Sequence, residues 1–99
     1  MRYLRMTIGR WNLDLDSPEA EELFRRIQTE GVSVFHEQPG FVRYRLMRAD
    51  ARTTIAVAEW ESEALGAEGA QRFRAWLADS GIRDKLTMET FAGDIVAAS

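Results

Sequence analysis

Arg43 and Arg45 stand two residues apart in the segment Phe41 to Arg48, and two guanidinium forks on one side of a strand can together hold a phenolate or a carboxylate. His36 is the only histidine of the chain and so its one candidate base near neutral pH. Its place just ahead of Pro39-Gly40, in the last turn of a predicted helix, equally suits a cap at the negative end of the helix dipole. A lone histidine makes no convincing metal site, and the absence of cysteine rules out disulfides and thiolate nucleophiles. Nucleophile elbows, phosphate loops and dinucleotide fingerprints do not occur. The chemistry open to this chain is therefore the holding of a small polar or anionic molecule by arginines, hydroxyls and indoles.

Those groups must be positioned by elements that the periodicity makes legible. Tyr3 to Gly9 alternates as a strand. Ser17, Pro18 and the acidic Glu19, Glu21 and Glu22 open a helix whose apolar stripe, Ala20, Leu23, Phe24, Ile27, Gly31 and Val34, runs to the stop at Pro39-Gly40. Phe41 to Arg48 alternates again, and the short link at 49–52 turns it back, hairpin fashion, into Thr54 to Trp60. Ser62 starts a second helix carrying Ala70, Phe73, Trp76 and Leu77, with irregular backbone expected from Leu65 to Gly69 and a stop at Gly81. Thr87 to Ala97 closes the chain as a last strand, which Gly93-Asp94 can interrupt. The order βαββαβ predicts an α+β, ferredoxin-like antiparallel sheet with both helices on one face, in one domain over residues 1–99.

The strand Thr54-Ile-Ala-Val-Ala-Glu-Trp60 is apolar on both sides. Two helices cover one face of a sheet, so the other face calls for a second copy of the chain. Matching the stripes places Leu4, Met6, Ile8, Val42, Tyr44, Leu46, Ile55 and Val57 against the helices. Arg5, Thr7, Arg43, Arg45, Ala56, Ala58 and Trp60, with Trp11 near its end, then form the opposite face and the wall of a cavity shared with the partner. The competing reading is a plain sheet surface from which Arg5, Arg43 and Arg45 snorkel into water.

With 45% hydrophobic and 29% charged residues and a net charge of −3, the 99-residue chain has an ordinary globular composition. No basic run points to nucleic acid or to an anionic membrane, and no apolar run is long enough to span a bilayer. The opening residues, broken by Arg2 and Arg5, do not read as a secretion signal, and the absence of cysteine fits a cytoplasmic setting.

The element order, Pro39-Gly40-Phe41 opening the second strand and Trp60-Glu61-Ser62 leaving the third together resemble the antibiotic biosynthesis monooxygenase family of dimeric α/β-barrel proteins. The resemblance implies a homodimer and a cofactor-independent oxidation of an aromatic polyketide or quinol-like molecule, in which the substrate anion itself reduces dioxygen. It makes Trp60 a cavity-lining indole and a catalytic candidate; His36, as the lone histidine, is the other, and the face read from strand alternation supplies Arg5, Thr7, Trp11, Arg43 and Arg45 as substrate-binding candidates. Haem-degrading relatives carry a histidine about ten residues after the tryptophan and an asparagine on the first strand. Here those places hold Gly69-Ala70-Gln71 and Thr7, which speaks against haem chemistry. Many quinol-oxidising relatives have an acidic residue two before the tryptophan, where this chain has Ala58. A non-catalytic binding or dimerisation module of the same fold is the alternative.

Overall fold

The computed structural model describes residues 2–99; Met1, the first residue of the segment read above for a secretion signal, lies outside them. Strand β1 (Tyr3–Trp11) leads into a helical rod made of α1 (Pro18–Arg26), a π turn (Ile27–Gly31) and α2 (Val32–His36). The hairpin β2 (Phe41–Asp50) and β3 (Thr53–Trp60) follows, then α3 (Glu63–Asp79), a short 3₁₀ turn (Ile82–Lys85) and β4 (Leu86–Asp94). The strands lie in the order β2-β3-β1-β4, every neighbouring pair antiparallel, which is the ferredoxin-like arrangement.

The first rod starts as its sequence dictates, with the Ser17 hydroxyl accepting from the Ala20 N–H at 3.2 Å and Pro18 filling the first turn. After Ala20, its buried positions, Leu23, Ile27, Gly31 and Phe35, repeat every four residues. A strict four-residue repeat drifts around an α-helix of 3.6 residues per turn. The π turn, in which the Val32 N–H reaches the Ile27 carbonyl, widens one turn and keeps Phe35 over the sheet. Thr29 and Ser33 assist by donating their hydroxyls to the carbonyls of Arg25 and Thr29, at 3.0 and 2.8 Å.

Helix α3 corrects the expectation of irregular backbone, because it runs unbroken from Glu63 to Asp79 behind a Ser62 cap. Gly66 and Gly69 are buried where α3 crosses Trp60, and a Cβ at Gly69 would stand 2.1 Å from the indole ring. Their helix propensity penalty, about 1 kcal/mol each, is offset by the packing of a whole indole against bare backbone. The helix ends at Gly81, whose φ of 81° is the left-handed conformation of a helix stop. The last strand stops at Asp94, short of the expected Ala97.

The register also corrects the sidedness. Pairings Tyr44↔Ala58↔Arg5 and Leu46↔Ala56↔Thr7↔Thr90 put these residues on one face, and that face lies beneath the helices with Phe35 and Phe73. The opposite face carries Arg45↔Val57↔Met6↔Phe91 and Met47↔Ile55↔Ile8↔Glu89. Tyr44 and Leu46 thus face the helices as expected, but β1 and β3 are turned over. Ala56, Ala58 and Trp60 pack inside the protomer, and Leu4, Met6, Ile8, Ile55 and Val57 lie on the uncovered face. The matching failed because the helix-facing positions of β1 and β3 are small or polar, and the stronger apolar stripe of each strand points away.

Candidate functional site

Small side chains make the hollow. Gly9, Ala56 and Ala58 leave the middle of the helix-facing side low, while two packed clusters stand at its ends: Trp11, Leu15, Leu23, Ile27, Leu77 and Ile82 at one, Tyr3, Phe35 and Trp60 at the other. Between them is a cavity of about 90 Å³, roofed by Phe35 and by Ala70, Phe73 and Arg74 of α3, and flanked by Met88 and Thr90 of β4. Thr7 and Thr90 share a hydrogen bond of 3.1 Å on its floor. The volume falls below that of an apolar cavity of about 150 Å³ that admits benzene, so an aromatic guest requires the side chains at the mouth to move. Arg74 is exposed and free to do so.

The polar inventory of this cavity is unusual. Trp60 is fully buried, yet its Nε1–H has no hydrogen-bond partner among the described residues. Such a donor, shut away from water, carries an uncompensated desolvation cost. Arg5, half-buried on β1, and Arg74 on α3 line the same space and form no salt bridge among the described residues. No aspartate, glutamate or histidine lines it. Its remaining ionisable group is Tyr44, tilted against Phe35 with ring centres 4.6 Å apart, and burial pushes its phenol well above the ordinary range. The cavity is thus cationic, rich in donors and empty of any base that works near neutrality.

Of the seven residues selected from sequence, Arg5, Thr7, Trp11 and Trp60 line this cavity. The other three are elsewhere. His36 is exposed at the end of α2, edge-on to Phe41 at 5.3 Å, and borders a groove of about 660 Å³ along the free edge of β2 with Arg43, Arg45 and Arg48. Arg43 and Arg45 point away from the helices, and the Arg43 guanidinium lies 3.6 Å from Glu59. This corrects the placing of these arginines beside Trp60: alternation along β2 sends Tyr44 inward and its neighbours outward. Trp11, in turn, is already satisfied, donating to the Thr54 hydroxyl at 2.9 Å. Sequence reasoning missed Arg74, although it follows Ala70 by one helical turn and so shares its face. Tyr44 was read as core only.

Among the described residues no group of three or more histidines, cysteines or carboxylates converges as a metal site. No described helix is long and apolar enough to cross a membrane.

A ferredoxin-like sheet with a small hollow under its own helices defines the class of protein. Within that class, residues 17–83 match the antibiotic biosynthesis monooxygenase family model, and the chain belongs to that family. In overall structure it is similar to SnoaB of Streptomyces nogalater, described as a cofactor-independent oxygenase, with a TM-score of 0.74 at 18% identity over 98% of this chain and 95% of that one. HapK of Hahella chejuensis aligns with a TM-score of 0.74 at 19% identity, over 100% of this chain and 96% of that one. A dimeric ferredoxin-like protein from an uncultured marine organism aligns with a TM-score of 0.65 at 11% identity, over 99% and 98%. At these identities the likeness is one of fold. No functionally curated protein matches the chain.

Proposed function

We propose that the chain is a cofactor-independent monooxygenase acting on an electron-rich, oxygen-bearing aromatic molecule of the quinol or anthrone type. The observation that carries this reading is a largely apolar cavity, lined by Trp60, whose only charged groups are arginines. Family membership supports the reaction class. In the reaction the substrate enolate or phenolate gives one electron to dioxygen, and the ring radical and superoxide join through a new C–O bond. The peroxide takes up a proton from solvent and loses water, so that in an anthrone-type substrate the ring CH2 becomes a carbonyl, with one oxygen atom in the product and the other in the water. Arg5 and Arg74 stabilise the substrate anion, and the Trp60 N–H donates to the charge that develops on oxygen. Apolar walls from Phe35, Phe73 and Leu46 keep bulk water away. Oxygen uptake with hydroquinones and anthrones, measured with chelator present, tests the proposal. Trp60→Phe keeps most of the ring and removes the donor, and it should lower kcat by about 10²-fold. Uptake no faster than the protein-free background would leave a binding module of the same fold.

The protein is proposed to work as a homodimer, in the cytoplasm, and as one domain over residues 1–99. The supporting observation is the face turned away from the helices, where Leu4, Met6, Ile8, Ile55 and Val57 form an apolar field bordered by Met47 and Phe91, which are 53% and 52% exposed. Val57→Glu sets a charge in the middle of that field and should give a folded monomer by sedimentation. A wild-type protein that is itself monomeric at micromolar concentration would rule the dimer out.

A further inference from the structure

We propose that the natural ligand of the cavity ionises without help from the protein: it is an oxygenated aromatic whose hydroxyl or enol is acidic enough to enter as the anion, held between Arg5 and Arg74. The inference rests on the reading of this cavity as the binding site and names its substrate class. Every wall agrees. Strand β1 contributes Arg5 as its only ionisable group, and α3 contributes Arg74. Strand β3 contributes Thr54, Ala56, Ala58 and Trp60, and β4 contributes Leu86, Met88 and Thr90, none of which titrates near neutrality. The first rod supplies only Ile27 and Phe35, and β2 supplies Tyr44, whose proton is held more tightly than that of a free phenol. A guanidinium cannot accept a proton, so nothing in the cavity can take one from a guest at physiological pH.

A phenol of ordinary acidity, with a pKa near 10, is only about one part in a thousand ionised at pH 7, and an enzyme that must select that fraction without a base loses most encounters. A guest that is already anionic meets no such loss. It also gives Arg5, half-buried and without a carboxylate partner among the described residues, the counter-charge that a partly buried cation requires, with the exposed Arg74 adding a second positive charge at the mouth.

Calorimetry with small phenols separates this from a cavity that merely prefers aromatic rings. Pentafluorophenol, which ionises below neutrality, should bind the wild-type protein at pH 7.5 at least about ten-fold tighter than its uncharged methyl ether, the ratio expected of one charge-assisted contact. The advantage should vanish as pH falls through the pKa of the phenol itself, and with a more weakly acidic monochlorophenol the midpoint should move up to that probe's own pKa. Arg74→Met, on an exposed position, should reduce the anion preference on its own, and Arg5→Met combined with it should abolish the preference if the fold survives by circular dichroism. Equal affinity for phenol and ether, or a midpoint that stays at one pH whatever the probe, overturns the proposal and indicates a protein group that titrates. The oxygenase reading is judged separately: anion preference without oxygen uptake removes that reading and leaves this one standing, while uptake with weakly acidic anthrones and no anion preference does the reverse.

Discussion

Trp11 and Trp60 sit at opposite ends of the same face of the sheet, both almost or entirely closed to solvent, 6% and 0% exposed, yet they are built into the protein in opposite ways. Trp11 donates to Thr54, a threonine that is itself buried, and its ring meets Phe24 edge-on at 6.3 Å. Every polar atom of that indole is accounted for. Trp60 is wedged between the bare backbone of α3 and an aromatic group of Phe35 and Phe41, at 5.9 and 5.5 Å, and its N–H finds no partner. The first indole is a structural end-stop. The second is held rigidly, at the cost of a lost hydrogen bond, where the cavity begins. In the proposed reaction, a donor fixed in place before a guest arrives would not have to be reorganised when charge develops on that guest.

The rigidity of the Trp60 end is the part of this contrast easiest to break. Gly69→Ala would place a methyl group 2.1 Å from the ring, closer than any shift of a fully buried indole can relieve without moving α3. Overpacking of this kind costs about 3 kcal/mol, and the better helix propensity of alanine returns about 1. Chemical denaturation should therefore show a net loss of about 2 kcal/mol. A neutral or stabilising Gly69→Ala would mean that Trp60 is mobile, and the preorganised donor would go with it.

A second experiment compares the two indoles directly. Trp11→Phe leaves the buried Thr54 hydroxyl without its donor, a loss of about 1 to 3 kcal/mol beyond the lost area. Trp60→Phe removes an N–H that was already unsatisfied, so its cost is area alone, partly offset by the relief of that donor. The difference in stability between the variants should be about 1 to 3 kcal/mol, with Trp11→Phe the weaker protein and Trp60→Phe the less active one. Equal stability losses would show that Trp60 has a partner in solution.

How much of this arrangement was legible depends on which physical signal carries it. The elements were readable because caps, stops and periodicity are local: Ser17, Pro39-Gly40, Ser62 and Gly81 all act where the sequence places them. The facing of β2 was readable because its apolar set, Tyr44 and Leu46, is also its helix-facing set. The facing of β1 and β3 was not, because a strand beside a hollow carries Arg5, Thr7, Gly9 and Ala56 toward its own helices and its bulkier Leu4, Met6, Ile8, Ile55 and Val57 away. Apolar matching presumes that the wettest face is the outer one, and a cavity reverses it. The overlooked signal was the pair Gly66 and Gly69, three apart in a helix, which announces that something large packs flat on that helix; the neighbouring Trp60 was the candidate, and it would have turned β3 the right way.

Tyr44 joins the two ends, since it packs against both the Trp11 and the Trp60 clusters, and its buried phenol gives the subtlest test. Burial disfavours the phenolate, so the folded chain holds this proton to a higher pH than the unfolded chain, whose tyrosine ionises near pH 10. Below about pH 10 both states keep the proton, and the stability associated with the buried neutral phenol is fully present. Above it the unfolded state binds fewer protons than the folded one, so stability falls as pH rises, by up to about 1.4 kcal/mol per unit from this group. Denaturation midpoints measured from about pH 9 to about pH 11.5 should decline more steeply for the wild type than for Tyr44→Phe, with the two curves parallel at the lower end. Parallel curves throughout would mean that water reaches the phenol from the cavity, and that the space between the two indoles is wetter than its apolar lining implies.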